Sequence, residues 1–127
     1  MPDIQIFPGA ITLTRVATDH IITLANAAIT ERGRFTIALS GGSTPKPVYE
    51  QLAADASRID WTKVHIFWSD ERTVPPNHPD SNYHMAHQAL LQHIEHECGN
   101  IHRMRGEIDP AQAAQEYVAK LREAFPG

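Results

Sequence analysis

The apolar run Phe35–Leu39 stops at Ser40-Gly41-Gly42-Ser43-Thr44-Pro45, and an amphipathic run follows over Lys46–Ala54. A buried strand, a glycine turn and a helix start fit these three pieces in order. The strand carries little alternation, as expected where both faces of a sheet are covered. Two adjacent glycines take positive φ at little cost, so consecutive backbone N–H groups can point into one concavity. The helix that follows adds its unpaired first-turn N–H groups and the positive end of its dipole. Ser40, Ser43 and Thr44 bring hydroxyls to the same turn. Such a turn suits a phosphate. Its spacing is neither that of a P-loop nor that of a dinucleotide fold, so it implies neither a nucleoside triphosphate nor NAD. The same residues also suit an ordinary strand-to-helix turn, capped by Thr44 with Pro45 at the first helical position.

Strands and helices alternate along the rest of the chain. Leu13, Val16, Ala17, Ile21, Leu24 and Ala28 recur at helical spacing ahead of Gly33, which predicts a long first helix. Val48, Tyr49, Leu52 and Ala56 mark a second helix, and Val64, Ile66 and Trp68 alternate along a strand with Phe67 on its other face. A proline-rich loop over 73–80 leads to Ser81, which reads as the N-cap of a third helix carrying Met85, Ala86, Ala89, Leu90 and Ile94. Gly99 stops that helix. Asp109-Pro110 reads as a cap and first position of a fourth helix, lined by Ala111, Ala114, Val118 and Leu121. Short strands are expected over 4–6 and, more weakly, 101–104. Successive βαβ units imply an α/β fold: a parallel sheet with helices on both faces, three-layered and Rossmann-like. Ligands in such sheets sit outside the carboxyl ends of the strands. The polar loops at 40–45 and 69–81 both follow strand carboxyl ends, and are expected to face one crevice.

Composition narrows the function classes. At 127 residues the chain suits a single domain, and a net charge of −4 provides no basic footprint for nucleic acid. No apolar run approaches the roughly 20 residues of a membrane-spanning helix. Met1-Pro2-Asp3-Ile4 shows neither a basic n-region nor an apolar h-region, so no signal peptide is expected. A single cysteine, Cys98, fits a reducing cytoplasm. His84 and His87, and separately His93 and His96, are spaced three apart, a spacing that can bind metal. The run around His93 to Glu97 matches no zinc-protease motif, so these read as solvated side chains and no metal site is expected. His65 reads as a packed or edge residue, and His78 lies nearest the crevice.

The second loop, Ser69-Asp70-Glu71-Arg72-Thr73-Val74-Pro75, adds a guanidinium able to grip a phosphate through two parallel hydrogen bonds. Asp70 and Glu71 can orient that guanidinium or accept from sugar hydroxyls. Pro75, Pro76 and Pro79 restrict the loop. A solvated acidic turn with a surface ion pair is the plainer alternative.

Together, Ala38 to Pro45, Trp68 to Pro75 and Asp80-Ser81-Asn82-Tyr83 resemble the N-terminal half of the 6-phosphogluconolactonase family. Ile101-His102-Arg103-Met104, ahead of an alanine-rich helix, fits the same family. The glycine-serine turn is shared with glucosamine-6-phosphate deaminases and ribose-5-phosphate isomerases, whereas the D-E-R-x-V-P loop with S-N-Y behind it is more specific to lactonases. The resemblance implies cofactor-free, metal-free hydrolysis of 6-phospho-glucono-1,5-lactone to 6-phosphogluconate, in the oxidative pentose phosphate pathway. It maps the phosphate anchor to Ser40, Gly41, Gly42, Ser43, Thr44 and Arg72, with Asp70 and Glu71 in support. It places the family's general-base histidine in a later motif, beyond Gly127, so no residue of 1–127 is expected to be the catalytic base. A basic residue near the family's C-terminus is likewise absent from these residues. The expectation is therefore a single partial domain over 1–127, apparently truncated, whose own activity is impaired. It is expected to self-associate or to need a complementing C-terminal fragment. A non-catalytic phosphosugar-binding fragment and a sugar-phosphate isomerase or deaminase are the alternatives.

Overall fold

The computed structural model describes residues 4–125. The expectations placed on residues 1–3 and 126–127 lie outside the described residues. Gly127, beyond which the resemblance sets the general base, is among them. The elements run α1 (Ala10–Arg32), β1 (Phe35–Leu39), α2 (Lys46–Ala54), two short 3-10 turns (Ala56–Arg58 and Trp61–Lys63), β2 (Val64–Trp68), α3 (Asn82–Ala86), a π-helical turn (His87–Leu91), α4 (Gln92–Ile94) and α5 (Pro110–Ala124). From α3 through α4 the chain is continuously helical, with the π turn in its middle.

β1 and β2 pair in parallel, with Phe35 opposite Val64 and Leu39 opposite Trp68. Ile101 adds a single parallel bridge to Ile66 on the far side of β2. The backbone bonds around it run from Ile66 N to Asn100 O and from His102 N to Ile66 O, each 2.8 Å. The strand expected over 101–104 is thus reduced to one bridge. Residues 4–7 are irregular, and the strand expected at 4–6 does not form: Ile4 and Ile6 are both exposed.

Helices cover both faces of the sheet. Val64, Ile66 and Trp68 point to one side, where they join Ile22, Ala25, Leu39, Tyr49, Leu52, Leu90, Leu91 and Ile94 in the main core. Phe67 points to the other side, edge-on to Tyr117 of α5 and 5.9 Å from Phe125. The Tyr117 hydroxyl accepts from Trp68 N (2.8 Å) and donates to His102 O (3.0 Å), bridging β2 and the Ile101 segment. Arg105 grips Glu116 through both carboxylate oxygens, tying the 103–107 segment to the same helix.

Several local expectations hold. Gly33 adopts φ +79° and donates to Ile29 O, ending α1. Ser81 and Asp109 cap their helices by accepting from His84 N and Gln112 N. Thr44 does not cap α2: the helix starts at Lys46 with Pro45 at the N-cap position and no side-chain cap. The apolar stripe on α1 is also rotated from its expected phase. Thr18, Ile22, Ala25 and Ala28 are buried, whereas Leu13, Val16 and Leu24 are exposed. The helix carries apolar residues on two sides, and β1 and α2 cover only one.

On the α5 side, His65 and His102 stack with ring centroids 6.1 Å apart, and Phe67 stacks on His102 at 4.6 Å. Nδ1 of His65 and Nε2 of His102 are buried with no hydrogen-bond partner among the described residues. Burial holds both imidazoles below their ordinary pKa; Arg34 adds to this at His65, and His65 and Lys120 add to it at His102. The unfolded chain therefore binds more protons than the folded one. Stability present at neutral pH is lost as pH falls below about 6.5, the unfolded histidine value, and through the depressed folded values. Urea midpoints at pH 7.5 and 5.5 are expected to differ, less so in His102→Gln. Equal midpoints in the parent chain would contradict this account.

Candidate functional site

Parallel register brings the two polar loops together. Because Leu39 lies opposite Trp68, Ser40 and Ser69 leave the sheet side by side. Ser69 N donates to Leu39 O at 2.9 Å, and the Ser40 and Ser69 hydroxyls stand 3.5 Å apart. The loops at 40–45 and 69–81 thus start side by side, but the groove that Arg72 borders is lined by no residue of 40–45.

The glycine turn is held from beneath by Tyr49, one turn into α2. Its hydroxyl accepts from Ser40 N (2.8 Å) and donates to Ser40 O (3.0 Å). Burial raises the Tyr49 pKa, so the phenol keeps the proton that this second bond requires. This anchor was missed from sequence, where Tyr49 counted only as an apolar helix position; its sole signal was a phenol on the buried face of the helix beside the turn. Gly42 adopts φ +98°, a conformation in which a β-carbon is strained. Gly41 has no positive φ, and its need for glycine comes from Asn82, which fills the space of a β-carbon. Among the described residues, the backbone N–H groups of Gly41, Gly42, Ser43 and Thr44 donate to no protein acceptor. Four donors are thus left open at the end of the sheet.

Asp70, Glu71 and Arg72 diverge in role. The Glu71 carboxylate accepts from Arg72 N (2.8 Å), Ser81 Oγ (2.9 Å), Asn82 N (2.6 Å) and Tyr83 N (3.0 Å). These bonds satisfy the open first turn of α3 and close the proline-rich loop. Glu71 supports the loop and does not orient the Arg72 guanidinium. Asp70 is exposed, with Oδ1 and its carbonyl each 3.2 Å from Asn82 Nδ2. Its other oxygen has no partner among the described residues. Arg72 is exposed, and its guanidinium has no hydrogen bond or ion pair among the described residues. It borders a groove of about 290 Å³ between its own loop, Met104 to Gly106 and the α5 residues Tyr117, Val118 and Leu121. Among the described residues, no bond joins Arg72 to the glycine turn.

Apart from the stacked His65 and His102, His78, His87 and His96 have separate partners. His87 lies 3.2 Å from Glu95, His96 lies 3.2 Å from Glu97, and His78 Nδ1 accepts from Asp80 N. Cys98 is buried against Val64 O, and desolvation raises its thiol pKa, which disfavours the nucleophilic thiolate.

Residues 9–127 match the family model described as glucosamine-6-phosphate isomerases/6-phosphogluconolactonase. The chain belongs to that family. Within it, the chain is 44% identical over 123 residues to a 6-phosphogluconolactonase of Nostoc, covering 96% of this chain and 50% of the relative. It is 35% identical over 131 residues to the 6-phosphogluconolactonase of Mycobacterium tuberculosis, covering 98% and 53%. Among solved structures, the 6-phosphogluconolactonase of Leishmania guyanensis superposes with a TM-score of 0.84 at 26% identity, over 97% of this chain and 51% of that one. That of Thermotoga maritima gives 0.81 at 29% identity, over 88% and 50%. A monomeric glucosamine-6-phosphate deaminase, 17% identical with a TM-score of 0.74 over 93% and 48%, shares the fold. The chain spans about half the length of the curated relatives it matches. No helix among the described residues is long and apolar enough to cross a membrane.

Proposed function

We propose that this chain carries the phosphosugar-binding half of a 6-phosphogluconolactonase site, acting on 6-phospho-glucono-1,5-lactone. The observation that carries the proposal is the row of open N–H donors at Gly41, Gly42, Ser43 and Thr44, beside the Asp70 loop at the carboxyl end of a parallel sheet. The turn supplies fixed dipoles to a phosphate, and Arg72 supplies charge and a two-pronged donor. The open oxygen of Asp70 accepts from a sugar hydroxyl. Ser40 is held by Tyr49 at the mouth of the turn.

Lactone hydrolysis adds water to the ring carbonyl and breaks the bond from that carbon to the ring oxygen. It calls for a base to take the proton of the water and donors to steady the oxyanion. Residues 1–127 are assigned the anchoring of the substrate. None of them is assigned the base. The identities of 44% and 35% to lactonases, and of 26% and 29% to solved lactonase structures against 17% to a solved deaminase, favour this reading over an isomerase or deaminase. A single cysteine, Cys98, buried in the core, is consistent with a cytoplasmic setting.

Titration calorimetry with 6-phosphogluconate is expected to show measurable affinity, weakened in Arg72→Ala by about 1.5–3 kcal/mol, the range for a hydrogen bond to a charged group. Equal affinity in the two proteins would overturn the assignment of Arg72. No binding to either would overturn the anchor itself.

A further inference from the structure

We propose that Asn82 is a positioning residue that sets the spacing between the glycine turn and Asp70, and that position 41 is glycine because this amide occupies the side-chain space there. The functional consequence rests on the phosphosugar reading above; the packing relation stands without it.

Asn82 is 7% exposed. Its backbone N–H is fixed on Glu71 Oε1 at 2.6 Å, and the Ser81 cap sits directly before it. From that anchored start its amide reaches both loops. Nδ2 donates to Asp70 O and to Asp70 Oδ1, each at 3.2 Å. On the other side, a β-carbon on residue 41 would stand 2.0 Å from Asn82 Oδ1, 2.5 Å from Cγ and 3.0 Å from Nδ2. An asparagine side chain has only two torsions, and here its amide nitrogen is committed to Asp70. It has no way to yield to a methyl group without releasing Asp70. The two glycines of the turn therefore serve separate needs. Gly42 meets a backbone requirement at φ +98°, and Gly41 admits the side chain that spaces the loops.

A double-mutant cycle tests the packing relation. In Gly41→Ala the urea midpoint is expected to fall, because an added β-carbon meets a buried amide. Asn82→Ala removes Cγ, Oδ1 and Nδ2 together, so adding Gly41→Ala to it is expected to cost little more. Additive losses would overturn the spacing relation, whatever the chain binds.

Asn82→Asp tests positioning as distinct from packing. Aspartate preserves the shape and the oxygen facing Gly41, but cannot donate to the Asp70 carboxylate. Inorganic phosphate reads the turn and Arg72, whereas 6-phosphogluconate reads Asp70 as well. Asn82→Asp is expected to weaken 6-phosphogluconate about tenfold more than inorganic phosphate, because the added carboxylate repels both phosphates alike and only the phosphosugar also reads Asp70. Equal weakening of the two probes, or none, would overturn the positioning role. If the parent chain binds neither probe, the phosphosugar reading fails, and the cycle of urea midpoints still decides the spacing relation.

Discussion

Gly106→Ala is expected to lower the stability of the fold by about 3 kcal/mol, the upper range for overpacking. A β-carbon at Gly106 would lie 2.2 Å from Arg72 O, 2.5 Å from Val74 O and 3.0 Å from Val74 N. All three are backbone atoms, so no side-chain rotation relieves the contact. The loop carrying Arg72 must lift, or the 103–107 segment must shift against the Arg105–Glu116 pair that ties it to α5. A lifted loop also drags on Glu71, whose carboxylate holds the first turn of α3. Urea unfolding of Gly106→Ala beside the parent measures the loss. An unchanged midpoint would mean that the two segments do not meet as described. A fold of this size has only about 5–15 kcal/mol in total, so 3 kcal/mol is a large fraction of it.

Ile22→Ala and Leu24→Ala, two residues apart in α1, should differ several-fold in cost. Ile22 is 2% exposed and packs in the main core, whereas Leu24 is 48% exposed. Truncating the first removes buried methyl groups and leaves a cavity, at about 2–5 kcal/mol. Truncating the second removes little buried surface and should stay within about 0.5 kcal/mol. Thermal or urea melts of the two variants give the comparison directly. Equal losses would mean that both sides of α1 are covered, and a larger loss in Leu24→Ala would reverse the phase of the helix.

That pair also shows where the sequence was legible and where it was not. Apolar spacing in α1 fits two stripes about equally well, one through Leu13, Val16 and Leu24 and another through Thr18, Ile22 and Ala25. Periodicity tells that a helix is amphipathic, but the neighbours decide which side they cover. In β2 no such ambiguity exists, because both faces are covered; Val64, Ile66 and Trp68 went to one layer and Phe67 to the other, as read. The parallel pairing, the Ser81 and Asp109 caps and the shared edge of the two polar loops follow from local signals that little else can produce. Glu71 was misread because its partners lie ten to twelve residues away, on backbone groups whose needs appear only once α3 has a start. Gly41 and Gly42 look alike in sequence, and only the fold distinguishes room for a neighbour from freedom of φ. At 4–6 the alternation was too short to outweigh the absence of a partner strand.

The parallel register between β1 and β2 has one further consequence. A slip of one residue would turn His65 and Phe67 toward α1 and α2 and present Ile66 to α5, exchanging the two layers of the molecule. The same slip would pull Ser40 out of level with Ser69. The alignment of the two loops and the correct burial of the sheet are therefore a single event in folding. A chain that places the loops wrongly has already failed to bury its sheet, and is open to degradation before it could bind anything incorrectly.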